Sequence, residues 1–270
     1  LYVCTATDLR RRVRTYFTGS ETRGRMKEMV ALATRVDHVE CAHTLEAGVR
    51  ELTLIAAHTP PYNRRSKYPK RAWWITLTSE AFPRLSVVRN ATAHCLGPFR
   101  TRAAAAEVAD SVAEYSHLRT CTTRLRADEL HGPRCPPREL ASCPASMDGP
   151  CSADEYAEVV DAVRNLFAGA ADEVLQLMRR RVEELAAAEL FENAARQRDR
   201  TVALALTLRK MQRLSAVCAL DELVLARPSL CGGWDLAVVR AGRLASAGTA
   251  RPGVPPMPVV RDLVQSASTV

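Results

Sequence analysis

The spacing of apolar residues divides the 270-residue chain into stretches of different character. Residues 1 to 63 begin with a short apolar run, carry two helical patterns and stop at Pro60-Pro61-Tyr62-Asn63, where two prolines end any helix. A basic stretch follows, Arg64-Arg65-Ser66-Lys67-Tyr68-Pro69-Lys70-Arg71, and after it Trp73 to Leu77 and Leu85 to Val88 read as strands around a turn at Pro83. Ala103 to Leu118 is alanine-rich and helical, whereas Cys121 to Cys151 is crowded with Pro, Arg and Cys and has too few apolar residues to build a core. From Tyr156 to Leu220 the period is helical almost throughout. Val174, Met178, Val182 and Leu185 make one stripe and Leu204, Leu208, Met211 and Leu214 another, which predicts two amphipathic helices packed as a hairpin. Past Arg227-Pro228, short β-like runs at Leu236 to Val239 and at Leu244 lead to a final helix from about Val259.

The pattern therefore predicts an α+β protein in four parts. These are a small mixed α/β module over 1–63, a cysteine-containing α/β middle over 64–155, a helical module over 156–220 and a short β-rich tail over 221–270.

Composition adds a partner class. With 47% hydrophobic and 25% charged residues the chain can build cores, and 38 basic against 30 acidic residues leave a net charge of +8, which suits a polyanion such as DNA. Arg64, Arg65, Lys67, Lys70 and Arg71 are the candidate DNA-binding side chains. No apolar run is long enough to span a bilayer, and the start Leu1-Tyr2-Val3 has neither Met nor a signal-peptide pattern. We expect no membrane partner, a cytoplasmic location and a chain that continues upstream.

Nine cysteines, an odd number at uneven spacings, argue against a disulfide framework. Cys121, Cys135, Cys143 and Cys151 lie in the stretch that lacks a core, separated by thirteen, seven and seven residues. Four thiolates there can hold an iron–sulfur cluster or a structural Zn²⁺, either of which replaces missing apolar burial. Cys4, Cys41, Cys95, Cys218 and Cys231 have no such grouping and read as small buried hydrophobes.

Several short motifs occur in a telling order: Leu1-Tyr2-Val3-Cys4-Thr5-Ala6-Thr7-Asp8-Leu9-Arg10-Arg11-Arg12-Val13-Arg14-Thr15-Tyr16-Phe17, then Glu46-Ala47 to Glu51, Leu54-Ile55 and Pro61-Tyr62-Asn63. Phe82-Pro83-Arg84-Leu85-Ser86-Val87-Val88-Arg89, Leu96-Gly97-Pro98-Phe99 and Leu118-Arg119-Thr120-Cys121 continue the series. Together they resemble the UvrC family, the first group resembling the second half of its GIY-YIG nuclease module. The resemblance implies that Tyr2 is the tyrosine of the second half-motif, Arg12 the arginine near the scissile phosphate and Tyr16 a further active-site tyrosine. It makes Glu51 the single carboxylate for a divalent ion, Mg²⁺ or Mn²⁺, and Asn63 the asparagine that closes the module. Phosphodiester cleavage needs a base, a cation for the developing charge and a metal-held phosphate oxygen, and these residue types suit it. Cys4 stands where the motif has glycine and Thr5 where the family has lysine, and the tyrosine of the first half-motif is not among these residues. In that family four cysteines after Leu-Arg-Thr-Cys resemble cluster ligands; here Met147 falls on the fourth position and Cys151 follows it.

Leu190-Phe191-Glu192-Asn193-Ala194-Ala195-Arg196-Gln197-Arg198-Asp199 resembles the UVR motif, the helical hairpin through which UvrC and UvrB associate. Phe191 with Ala194 and Ala195 offers a bulky anchor beside a flat face, flanked by Glu192, Arg198 and Asp199. Asp221-Glu222-Leu223 through Leu244 looks like the first strands of the UvrC carboxy-terminal half, but the remaining fifty or so residues are too few for its RNase H-like nuclease, so we expect no chemistry there. The wording of residues 12–17, 21–23, 36–42 and 61–66 is closest to the actinobacterial subgroup in which a DEDD-type 3′–5′ exonuclease precedes a UvrC-like half. Three functions follow as expectations: a metal-dependent DNA-repair endonuclease module, an inactive DNA-binding and partner-docking half that targets the upstream exonuclease, or a structural module whose basic residues are a solvated face.

Overall fold

The computed structural model describes residues 1–18, 23–64, 72–91, 94–122, 153–230 and 232–267. They form two compact units: Leu1–Pro69 with Ser215–Val270, and Lys70–Leu214. Among the described residues there are eight helices and two three-stranded antiparallel sheets, an α+β architecture as the patterning predicts.

In the first unit, α1 (Leu9–Phe17), α2 (Gly24–Leu32) and α3 (Thr44–His58) follow one another. Asp8 caps α1 by accepting from the Arg11 N–H at 2.8 Å, which satisfies one of the orphan amides of the first turn. The inner side of α1 packs Tyr16 against Met26 and Met29 of α2, with Tyr2, Val30 and Tyr62 at the edge. The sequence pattern gave two helices for this stretch and the structure has three, because α2 is short and only two of its residues are buried. The same unit contains β4 (Leu223–Pro228), β5 (Trp234–Arg240) and β6 (Arg243–Ala250), a meander in the order β4-β5-β6, with α8 (Pro256–Ser266) packed against β5 and β6. Leu236 to Val239 are all buried in the central strand, as a continuous apolar run allows. The His43 ring, at the start of α3, bonds the Leu236 carbonyl through Nε2 at 2.7 Å.

The second unit holds β1 (Trp73–Leu77), β2 (Leu85–Val88) and β3 (Cys95–Phe99) in the order β2-β1-β3, with α4 (Arg102–Ser116) against the sheet. The first two strands lie where alternation puts them. The third was not predicted, because Gly97 and Pro98 read as turn residues; β3 is an edge strand, where a missing N–H costs no ladder bond. The stretch 156–220, expected as two helices, holds three: α5 (Ala153–Ala168), α6 (Glu173–Ala187) and α7 (Phe191–Cys218). Gly169 at φ +76° breaks the first junction, and Glu189 at φ +58° the second, a left-handed position for which Glu carries no sequence signal. Ile75, Leu96, Val112, Val163, Met178 and Leu204 lie at the centre of a single core.

Arg119, 1% exposed, ties this unit together. Its Nε donates to the Phe82 carbonyl at 2.7 Å, Nη1 to the Cys121 carbonyl at 3.0 Å, and Nη2 lies 2.8 Å from Glu80 Oε1. The Tyr156 hydroxyl accepts from the Arg119 N–H at 3.0 Å and donates to the Pro83 carbonyl at 2.9 Å. The chain entering the cysteine-rich stretch and the helix leaving it are thereby held at the same turn.

Candidate active site

The residues that the motif comparison singles out gather around the extended segment Leu1–Thr5. Asn63, buried beneath it, pairs with Val3 as a neighbouring strand would: Oδ1 accepts from the Val3 N–H at 2.9 Å and Nδ2 donates to the Val3 carbonyl at 2.8 Å. The Tyr62 N–H adds a bond to the Leu1 carbonyl at 3.2 Å. The left-handed Thr59 ends α3 and turns the chain through Pro60 and Pro61, which brings Asn63 back to the amino-terminal segment.

Tyr2 and Tyr16 meet edge to face with ring centroids 6.0 Å apart, and the Arg12 guanidinium lies 5.3 Å from the Tyr16 ring centre. Burial pushes the Tyr16 hydroxyl well above the ordinary tyrosine range, and the adjacent Tyr2 hydroxyl adds to the shift. Tyr16 is therefore a protonated donor at neutral pH rather than a phenolate. Burial opposes the Arg12 charge, but Tyr16, Tyr2 and Cys4 more than offset it and hold the guanidinium charged more firmly than usual. Arg12 Nε is buried without a hydrogen-bond partner among the described residues.

Glu51, in the middle of α3, is half-buried, and its Oε2 accepts from the Thr5 hydroxyl at 3.0 Å. Among the described residues this is its one hydrogen bond. No three His, Cys, Asp or Glu side chains converge among those residues, so a divalent ion here would have Glu51 as its protein ligand. One carboxylate oxygen with water and substrate phosphate oxygens suits Mg²⁺ or Mn²⁺, which are hard and keep several waters.

The two departures from the motif are both engaged. The Tyr16 hydroxyl points at Cys4 Sγ, 3.9 Å away, and Thr5 holds Glu51. Sequence reasoning also missed Arg25, which donates to the Pro61 carbonyl at 3.0 Å and lies over the Tyr62 ring. It is 36 residues from its partner in the chain, so no local pattern reveals it.

Of the basic stretch, Arg64 is exposed, and Arg65, Lys67, Lys70 and Arg71 lie outside the described residues. Cys121 is buried, with its sulfur 3.1 Å from Arg119 Nη1; Cys135, Cys143 and Cys151 lie outside the described residues. On α7, Phe191 is 66% exposed and Glu192, Arg198 and Asp199 are also exposed, whereas Ala194 faces the core and Ala195 is half-buried. Arg198 pairs with its chain neighbour Asp199 at 2.8 Å, within the helix.

Comparison with known proteins places the chain in a family. The model of the UvrC-like GIY-YIG domain matches residues 1–64, and that of the UvrC/Cho excinuclease middle domain matches residues 72–166. The chain belongs to the UvrC family. A Mycobacterium tuberculosis protein named as a bifunctional exonuclease/endonuclease is 52% identical over the whole of this chain, which covers 42% of that protein. UvrABC system protein C of Natronomonas pharaonis is 34% identical over 76% of the chain and 35% of its own length, and that of Geobacter metallireducens 31% over 90% and 40%. The chain thus spans about two fifths or less of the length of these relatives. No solved structure matches it. No helix among the described residues is long and apolar enough to cross a membrane.

Proposed function

We propose that this chain is the incision and docking part of a DNA-repair protein. Its GIY-YIG-type site, completed by a first half-motif that is not among these residues, hydrolyses a phosphodiester with one Mg²⁺ or Mn²⁺ held by Glu51. The observation that carries this reading is that Tyr2, Arg12, Tyr16, Glu51 and Asn63, up to 61 positions apart in the chain, are brought together around Leu1–Thr5. Arg12 supplies a fixed positive charge for the phosphate, and Tyr16 a hydroxyl donor. Asn63 keeps the segment that bears Tyr2 in register, and Thr5 orients the Glu51 carboxylate. A bound divalent ion would polarise a phosphate oxygen and stabilise the charge that develops there.

In this reading the protein is cytoplasmic and carries a 3′–5′ exonuclease elsewhere in its chain. Phe191, Glu192, Ala194, Ala195, Arg198 and Asp199 form a UVR-type docking face for a UvrB-like partner, and Cys121, Cys135, Cys143 and Cys151 bind an iron–sulfur cluster or Zn²⁺. Residues 1–63, 64–155, 156–220 and 221–270 are its functional segments. The second reading is a targeting half that binds DNA and cuts nothing, and it is favoured by Cys4 and Thr5, whose side chains engage Tyr16 and Glu51.

The test is incision of a damaged duplex by the full-length protein with Mg²⁺ or Mn²⁺. Glu51→Gln is expected to lower the endonucleolytic rate by about 100-fold or more, the usual effect of losing a group that stabilises transition-state charge. The cut should survive inactivation of the exonuclease. Absence of any such cut, with DNA binding retained, establishes the targeting reading instead.

A further inference from the structure

Helix α1 has two faces of different purpose. At 100° per residue, Leu9, Arg12, Val13 and Tyr16 share the inner side, and Arg10, Arg11 and Arg14 share an outer arc, with Arg14 between the other two. All three outer arginines are exposed, and none makes an ion pair among the described residues. Some exposed arginines on other helices pair one turn away, Arg164 with Asp161, Arg179 with Glu183 and Arg181 with Glu184, while Arg180, Arg209 and Arg213 make no ion pair among the described residues. Helix α1 contains four arginines in nine residues and no acid; Asp8, just before it, spends its carboxylate on capping the backbone.

This arrangement is unfavourable for an isolated helix. Arg10 and Arg14 are four apart and Arg11 and Arg14 three apart, so like charges face each other. Arg10 and Arg11 also stand in the first turn, where the helix dipole is positive. The Asp8 carboxylate at the N-cap offsets part of the first-turn term; a polyanion laid along the outer arc would offset the repulsion among the three arginines. The inner side of the same helix carries Arg12 into the candidate site, so a nucleic-acid strand held there brings flanking phosphates within about one helix diameter, about 10 Å, of the outer arc.

We propose that Arg10, Arg11 and Arg14 form a phosphate-binding rail for DNA flanking the cleavage position, distinct from the basic stretch at 64–71. The proposal rests on the reading that the site acts on DNA. Arginine suits the role, since its planar fork grips phosphate oxygens bidentately and its charge is permanent.

The experiment measures binding of an undamaged fluorescent duplex to the full-length protein over a range of salt concentrations, without divalent metal. Arg10, Arg11 and Arg14 are changed together to Gln, which keeps helix propensity, and in a second variant to Lys, which keeps charge. If each arginine neutralises one phosphate, the Gln variant lowers the slope of log affinity against log salt by about 2.7, that is about 0.9 per contact. The Lys variant retains most of the slope. Removing like-charge repulsion also leaves the helix intact, so the Gln variant melts no lower than the wild type. A slope unchanged in the Gln variant overturns the proposal. A slope that falls equally in both variants overturns it too, since lost charge would then not be the cause. In the targeting reading the wild type makes no endonucleolytic cut, yet its salt slope still falls in the Gln variant, so the two readings fail independently.

Discussion

At the scale of single residues, Asn63 and Arg119 show how a polar side chain can stand in for secondary structure. Asn63 presents one acceptor and one donor to both backbone groups of Val3, so the amino-terminal segment is held in the absence of a strand neighbour among the described residues. Replacing it by Ala removes both partners from a buried position and leaves the Val3 groups unpaired. A loss of about 1–3 kcal/mol is expected, the cost of orphaning a buried polar group. Chemical denaturation followed at Trp234, which lies in the same unit, checks it; an unchanged midpoint would mean that water or a different neighbour replaces the amide. The Tyr16 hydroxyl gives a matching pH statement. Its pKa is shifted upward in the fold, chiefly by burial, so the stability that it contributes is complete below the ordinary tyrosine value and is lost only as the pH rises through the folded value.

At the scale of elements, α7 explains why a helical stripe alone did not separate buried from exposed positions. Apolar residues occur on both of its sides: Leu204 is fully buried and Leu208 nearly so, while Phe191, Val202 and Leu206 are exposed. Leu204 and Leu206 are two positions apart and so point to nearly opposite sides of the helix. Leu204→Ala should destabilise the second unit by about 2–5 kcal/mol through lost transfer energy and a cavity. Leu206→Ala should stay within about 0.5 kcal/mol, as for surface changes in general. Equal losses in parallel denaturant titrations would show that this helix is rotated from the orientation described.

At the scale of the whole chain, the two units have separate cores, and each holds its own tryptophan reporter: Trp234 in the first, Trp73 and Trp74 in the second. Independent cores need not unfold together, so one cooperative transition is not expected. In the 270-residue chain, a Trp73→Phe/Trp74→Phe variant reports the first unit and Trp234→Phe the second. Their denaturant midpoints should differ, and superimposable curves would mean a single cooperative domain. The first unit draws on both ends of the chain, residues 1–69 and 215–270, which no pattern in either segment announces.

The sequence by itself determined the α+β class, the strands at 73–77 and 85–88, the long helical stretch, the terminal helix and, through its motifs, the family. These depend on short-range periodicity and on local chemistry such as paired prolines, which act within a few residues. Tertiary structure alone decided the rest. It made an edge strand of Cys95–Phe99 despite Pro98, broke the helical stretch at Glu189, turned Arg12 inward while Arg10 and Arg14 face outward, and bound Asn63 to Val3 and Thr5 to Glu51. Each of these rests on a partner tens of residues away or on a backbone conformation that only packing stabilises. A hydrogen bond across 60 positions leaves no period in the chain, because what selects it is the burial of both groups in the folded state.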